Sequence, residues 1–149
     1  MNLRRQAREI AIQFLYLKDM GGAGDLPLEQ EIAAVPNAAD HLERARPFAV
    51  ELVRGVLERQ KELDEKIGHY AQNWNLPRIA AVDRAILRLA IYELLFREDI
   101  PPVVSINEAI DLAKNYSTED SGRFVNGILD RVKLELKRPL RTAAPPPPA

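Results

Sequence analysis

The sequence predicts an all-α protein, and three observations carry that reading. Apolar residues recur at spacings of three and four, no segment sustains the two-residue alternation of a half-buried strand, and glycines or prolines punctuate the periodic stretches. Their boundaries give about seven helices.

Leu3, Ala7, Ile10, Phe14 and Leu17 trace the stripe of a first helix, ended by Gly21, Gly22 and Gly24. A short helix is expected over Leu28 to Val35, before Pro36. Leu42 to Arg59 carries Ala45, Ala49, Leu52, Val53, Val56 and Leu57 on one side. Pro47, inside it, marks the first turn of the true helix or breaks a longer one. Leu63, Ile67, Tyr70 and Ala71 define the next helix, which ends near Trp74 and Asn75. Pro77 suits the first turn of a central helix over residues 78–96, apolar nearly all round and therefore enclosed by its neighbours. Pro101 and Pro102 make a stiff connector that cannot continue it. A sixth helix holds Ile106, Ala109, Ile110 and Ala113 and stops by Ser117. The last runs from about Glu119 to Lys137 with Val125, Ile128, Leu129 and Val132, capped by Ser117, Thr118 or Asp120. Residues 1–138 thus form the expected folded domain, and 139–149, with four consecutive prolines, a disordered or polyproline tail.

At 149 residues and 46% hydrophobic, the chain has material for one core. It holds no run of about 20 apolar residues and its N-terminus lacks a signal-peptide core, so a soluble, cytoplasmic protein without membrane attachment is expected. With no cysteine, thiol nucleophiles and cysteine-based metal centres are excluded. His41 and His69 lie far apart in the sequence and outside any His-Glu-x-x-His spacing, which speaks against a metal site. Gly21 to Gly24 lacks a following Lys-Ser or Lys-Thr, and no nucleophile elbow occurs. No catalytic residue, cofactor or enzyme activity is expected.

A net charge of −1 speaks against coating nucleic acid by bulk electrostatics, so any such site must be local. The basic end of the chain is its first helix, where the 100° step sets Arg4, Arg5 and Arg8 opposite the apolar stripe. Near a helix N-terminus they are placed for phosphates, though periodicity equally allows a plain solvated face. Arg123 and Phe124 open the last helix. Phe124 shares the register of Ile128 and Val132, a core position, but turned outward it would offer a base its ring beside an arginine. Asp83, Arg84, Arg88, Glu93, Glu108, Asp111 and Lys114 sit within apolar segments, so they pair with one another or open onto a partner.

The stretch VDRAILRLAIYELLFREDIPPVVSINEAIDLAKNY, followed by STEDSGRFVNGILDRV, resembles the C-terminal half of the NusB family, and RRQAREIAIQFLY resembles its N-terminus. The resemblance implies about seven helices in two small packed bundles, and a transcription antitermination factor acting in processive transcription of ribosomal RNA operons. It implies three partners: single-stranded boxA-type RNA, NusE (a small-subunit ribosomal protein in its free form) and the antitermination complex of RNA polymerase. It puts the RNA-binding segment on Arg4, Arg5 and Arg8, extended by Gln13 and Tyr16, with Arg123 and Phe124 at the RNA edge. Asp83, Asp120 and Arg88 match the NusE-facing side. Two other readings stay open: the NusB-like domain of a ribosomal RNA cytosine methyltransferase, and a helical adaptor forming a homodimer that hides its arginines.

Overall fold

The computed structural model describes residues 3–22, 26–34, 43–71 and 76–143 of the chain. Expectations that fall on Gly24, Val35, Pro36, His41, Leu42, Trp74, Asn75 and the four prolines lie outside the described residues. Within them the elements are α1 (Leu3–Asp19), α2 (Leu28–Ala33), α3 (Arg46–Glu58), α4 (Gln60–Tyr70), a 3-10 turn (Leu76–Arg78), α5 (Ala81–Phe96), α6 (Pro102–Tyr116) and α7 (Glu119–Glu135). Seven α-helices and no strand are present among the described residues.

Local chemistry sets the ends. Gly21 takes a left-handed φ of 79°, and the Gly21 and Gly22 amides donate to Lys18 and Leu17 carbonyls at 3.1 and 2.7 Å, closing α1. Pro47 proves to be a first-turn proline, since α3 begins at Arg46. The central helix begins at Ala81 rather than residue 78, because Pro77 is spent in the 3-10 turn before it. Pro102 opens α6, and of the three candidate caps for α7 it is Thr118 whose Oγ1 accepts the Ser121 amide at 3.0 Å. α7 stops at Glu135, two residues short of expectation, where Leu136 turns extended.

α5 is the shared centre. It packs on α1 and α3 on one side and on α4, α6 and α7 on the other, which yields the two small bundles; α2 closes the first against α3. Only from this double cover follows the burial of α5 from Ala85 through Leu94. The approach of α3 to α5 depends on Gly55, where an added Cβ would lie 2.1 Å from the Tyr92 ring. The C-terminal segment returns over the end of α5. Arg138 donates to the carbonyls of Leu94 at 3.0 Å and Ile100 at 2.8 Å, supplying partners that a helix end lacks, and the Val103 amide donates to Leu140 at 2.9 Å.

Candidate nucleic-acid interface

α1 was expected to bury one stripe, but α2, α3 and α5 cover more of it: Gln6, Ala7, Arg8, Ile10, Ala11, Ile12, Phe14 and Leu15 are all buried, while Leu3 is exposed. This widening separates the three arginines. Arg8 is a correction to its expected place on the solvent face. It is 2% exposed, and its Nε and Nη2 donate to both carboxylate oxygens of Glu93 at 2.9 and 2.8 Å, with the Ser105 hydroxyl adding a 2.7 Å bond to Glu93. A fully desolvated charge needs such a partner, and the bidentate fork supplies one. Arg8 therefore joins α1 to α5 and α6 from inside the protein.

Arg4 and Arg5 stay at the surface. The Arg4 guanidinium lies 4.7 Å from the centroid of the Phe48 ring, a cation–π contact. Arg5 reaches α6, with Nε on Glu108 at 2.7 Å and Nη2 on Asp111 at 2.8 Å. The Asp111 carboxylate thus turns to α1.

Two recesses flank the first turn of α5, with Val82 on one and Asp83 on the other. The first is a groove of about 200 Å³ lined by Ile12, Gln13, Tyr16, Leu17, Val82 and Tyr116. Its walls are mostly apolar, and two phenol rings edge it. Burial, followed by the charge of Glu9, raises the Tyr116 pKa above the ordinary tyrosine value, against the opposing effect of a hydrogen bond with Gln13. Gln13 and Tyr16 thus lie together at one site. Tyr116 belongs with them and was missed by sequence reasoning, because its position at the end of α6 looks like one more helical residue.

The second recess, about 310 Å³, is lined by Arg78, Ile79, Ala80, Asp83, Asp120, Ser121 and Phe124. Phe124 is half-buried against the core and also lines this cavity. Arg123 and Asp120 are exposed and pair with each other at 2.5 Å, a contact that water screens and a partner can exchange at little cost. Asp83 is buried; its Oδ2 accepts from the Ser121 hydroxyl at 3.1 Å, and its Oδ1 has no hydrogen-bond partner among the described residues. Burial pushes the Asp83 carboxyl above the usual range, against the smaller opposing effect of Ser121.

Arg88 is the second correction. Rather than facing a partner it is buried, with Nε on Asp64 at 2.7 Å and Nη1 on Asp19 at 3.4 Å. Arg84 shares Asp19 at 2.8 Å, so this network ties the end of α1 to α4 and α5. Among the described residues no group of three or more histidines and acids is placed to hold a metal, and no helix is long and apolar enough to cross a membrane.

Two bundles around a shared helix, with cations, aromatic rings and carboxylates gathered at recesses instead of around a reacting atom, define a helical binding protein. Residues 5–133 match the NusB family, and the chain belongs to it. It is 48% identical over 134 residues to the transcription antitermination protein NusB of Geobacter sulfurreducens, covering 89% of this chain and 94% of that one. NusB of T. maritima superposes with a TM-score of 0.76 at 40% identity, covering 95% of this chain and 93% of that one. A chain from a solved complex of the antitermination factors NusB and NusE with double-stranded RNA superposes with a TM-score of 0.77 at 30% identity, covering 91% of this chain and 99% of that one. The relatives are antitermination proteins, not enzymes.

Proposed function

We propose that this chain is a transcription antitermination factor that binds boxA-type RNA of ribosomal RNA transcripts together with NusE, within the antitermination complex of RNA polymerase in the cytoplasm. The observation that carries the proposal is the match along nearly the whole length of a NusB chain seen with NusE and RNA. That end-to-end likeness to antitermination proteins favours this reading over a methyltransferase domain.

The proposed RNA face comprises Arg4 and Arg5 on α1, the groove of Gln13, Tyr16 and Tyr116, and Arg123 with Phe124 at the start of α7. Arginines meet phosphates, and the rings offer stacking surfaces to unpaired bases. Arg8 is left out, since its guanidinium is enclosed with Glu93. The proposed NusE face is the α7 side with Asp120 and the Asp83 cavity, where carboxylates would draw a basic ribosomal protein. Arg88 is left out because its partners are Asp64 and Asp19. The folded unit is proposed to be residues 1–138, with Leu140 tied back to it through the Val103 amide and the remainder of 139–149 as an appended tail.

The test is Arg4→Ala combined with Arg123→Ala, titrated against single-stranded boxA-type RNA over a range of salt. Loss of two phosphate contacts flattens the log–log salt slope by about 1.4. An unchanged affinity and slope would remove these arginines from the RNA site. A duplex of the same sequence, run in parallel, is expected to bind more weakly, because its bases are not free to enter the groove.

A further inference from the structure

Arg5 meets two carboxylates of unequal standing. Glu108 is the inner one, its side chain 13% exposed, whereas Asp111, one turn along α6, is 49% exposed. Arg5 itself is 37% exposed. One guanidinium against two carboxylates leaves the cluster at −1, so an approaching phosphate meets net repulsion at a residue that the charge pattern of α1 offers to RNA. Both carboxylates hold the arginine pKa above its ordinary value, which shows that they stabilise its charge while occupying its donors.

We infer that Glu108 and Asp111 form an autoinhibitory clamp on Arg5, in which RNA phosphate must displace Asp111 while Glu108 remains as the anchor. The inference rests on the reading of α1 as an RNA-binding segment. Its consequence is a higher threshold for stable binding. The clamp penalises every polyanion alike, and only an RNA that also fills the groove of Tyr16 and Tyr116 makes enough base contact to offset it. A half-exposed carboxylate suits the exchange, since water solvates it once released; a buried one would have nowhere to go.

Asp111→Asn tests the clamp cleanly, because the amide oxygen still accepts from Arg5 while the charge is gone. The full-length chain with Asp111→Asn, with Arg5→Ala and with both is titrated against boxA-type RNA and a scrambled RNA of equal length. Asp111→Asn is expected to tighten both RNAs by roughly fivefold at low salt, the effect of removing one charge a few ångströms from a phosphate near the surface. The salt slope steepens by about 0.7, and the ratio of the boxA to the scrambled affinity stays the same, since the penalty removed is common to both. The gain disappears in the Arg5→Ala background. Glu108→Gln shifts affinity in the same direction. Weaker or unchanged binding by Asp111→Asn, or a gain that persists without Arg5, overturns the clamp. Should Arg5→Ala alone leave RNA binding intact, the RNA reading of α1 fails and takes the clamp with it; weakened binding by Arg5→Ala beside an unchanged Asp111→Asn overturns the clamp alone.

Discussion

Replacing Arg8 by alanine separates a structural arginine from an RNA-binding one. In the fold, Arg8 and Glu93 are 2% and 1% exposed, so removing the guanidinium leaves a buried carboxylate that keeps the Ser105 hydroxyl as a donor but loses its countercharge. Breaking a buried pair from one side costs about 3–5 kcal/mol, chiefly because the surviving charge stays desolvated. For a domain of this size each kcal/mol moves Tm by about 2–4 °C, so Arg8→Ala is expected to lower it by on the order of 10 °C in a thermal melt followed by circular dichroism. Arg8→Met with Glu93→Leu removes both charges and fills their space, and should recover most of the loss. Well below the melting range, RNA affinity of Arg8→Ala should keep the wild-type salt slope. A wild-type Tm together with a slope flattened by about 0.7 would refute this reasoning and return Arg8 to the phosphate face.

Gly55→Ala drives a Cβ into the Tyr92 ring, and despite the better helix propensity of alanine it should destabilise by about 1–3 kcal/mol in a denaturant titration; an unchanged midpoint would mean that α3 and α5 slide apart freely. Asp83 has a folded pKa raised by burial, so the stability linked to its proton is complete below its ordinary value of 3.8 and is lost as pH rises through the folded value. Asp83→Asn is therefore expected to raise Tm at neutral pH, with the gain closing towards acid, and a gain independent of pH would contradict that cause. Asp120→Lys, at an exposed site, should weaken NusE association in a pull-down or calorimetric titration while leaving Tm within a few degrees; retained pairing would move the interface elsewhere.

The helices were legible because their signals are local. Gly21 supplies a left-handed stop, Pro47 and Pro102 sit where a missing amide costs nothing, and Thr118 is three residues from the amide that it caps. The breadth of each buried face was not legible. A stripe drawn from Leu3 to Leu17 assumes cover on one side, but α1 is enclosed by several helices, and this brings Gln6 and Arg8 inside. Arg8 finds Glu93 across 85 residues and Arg88 finds Asp64 across 24, pairings that helical spacing cannot announce. The same limit hid Tyr116, which gains meaning only when α6 ends beside Gln13 and Tyr16. Arg5 lies between these cases: its exposure was foreseen, and its two carboxylates were noticed as odd charges, but their meeting is a product of tertiary packing.

The most direct measurement of the central claim is an anisotropy titration of single-stranded boxA-type RNA with the full-length chain alone, with NusE alone and with an equimolar mixture. Weak binding by each protein, and binding at least tenfold tighter by the mixture with preference for boxA over a scrambled RNA, is the result that the shared RNA and NusE surface predicts. A mixture that binds no better than the stronger single component, or that binds scrambled RNA equally well, would contradict it.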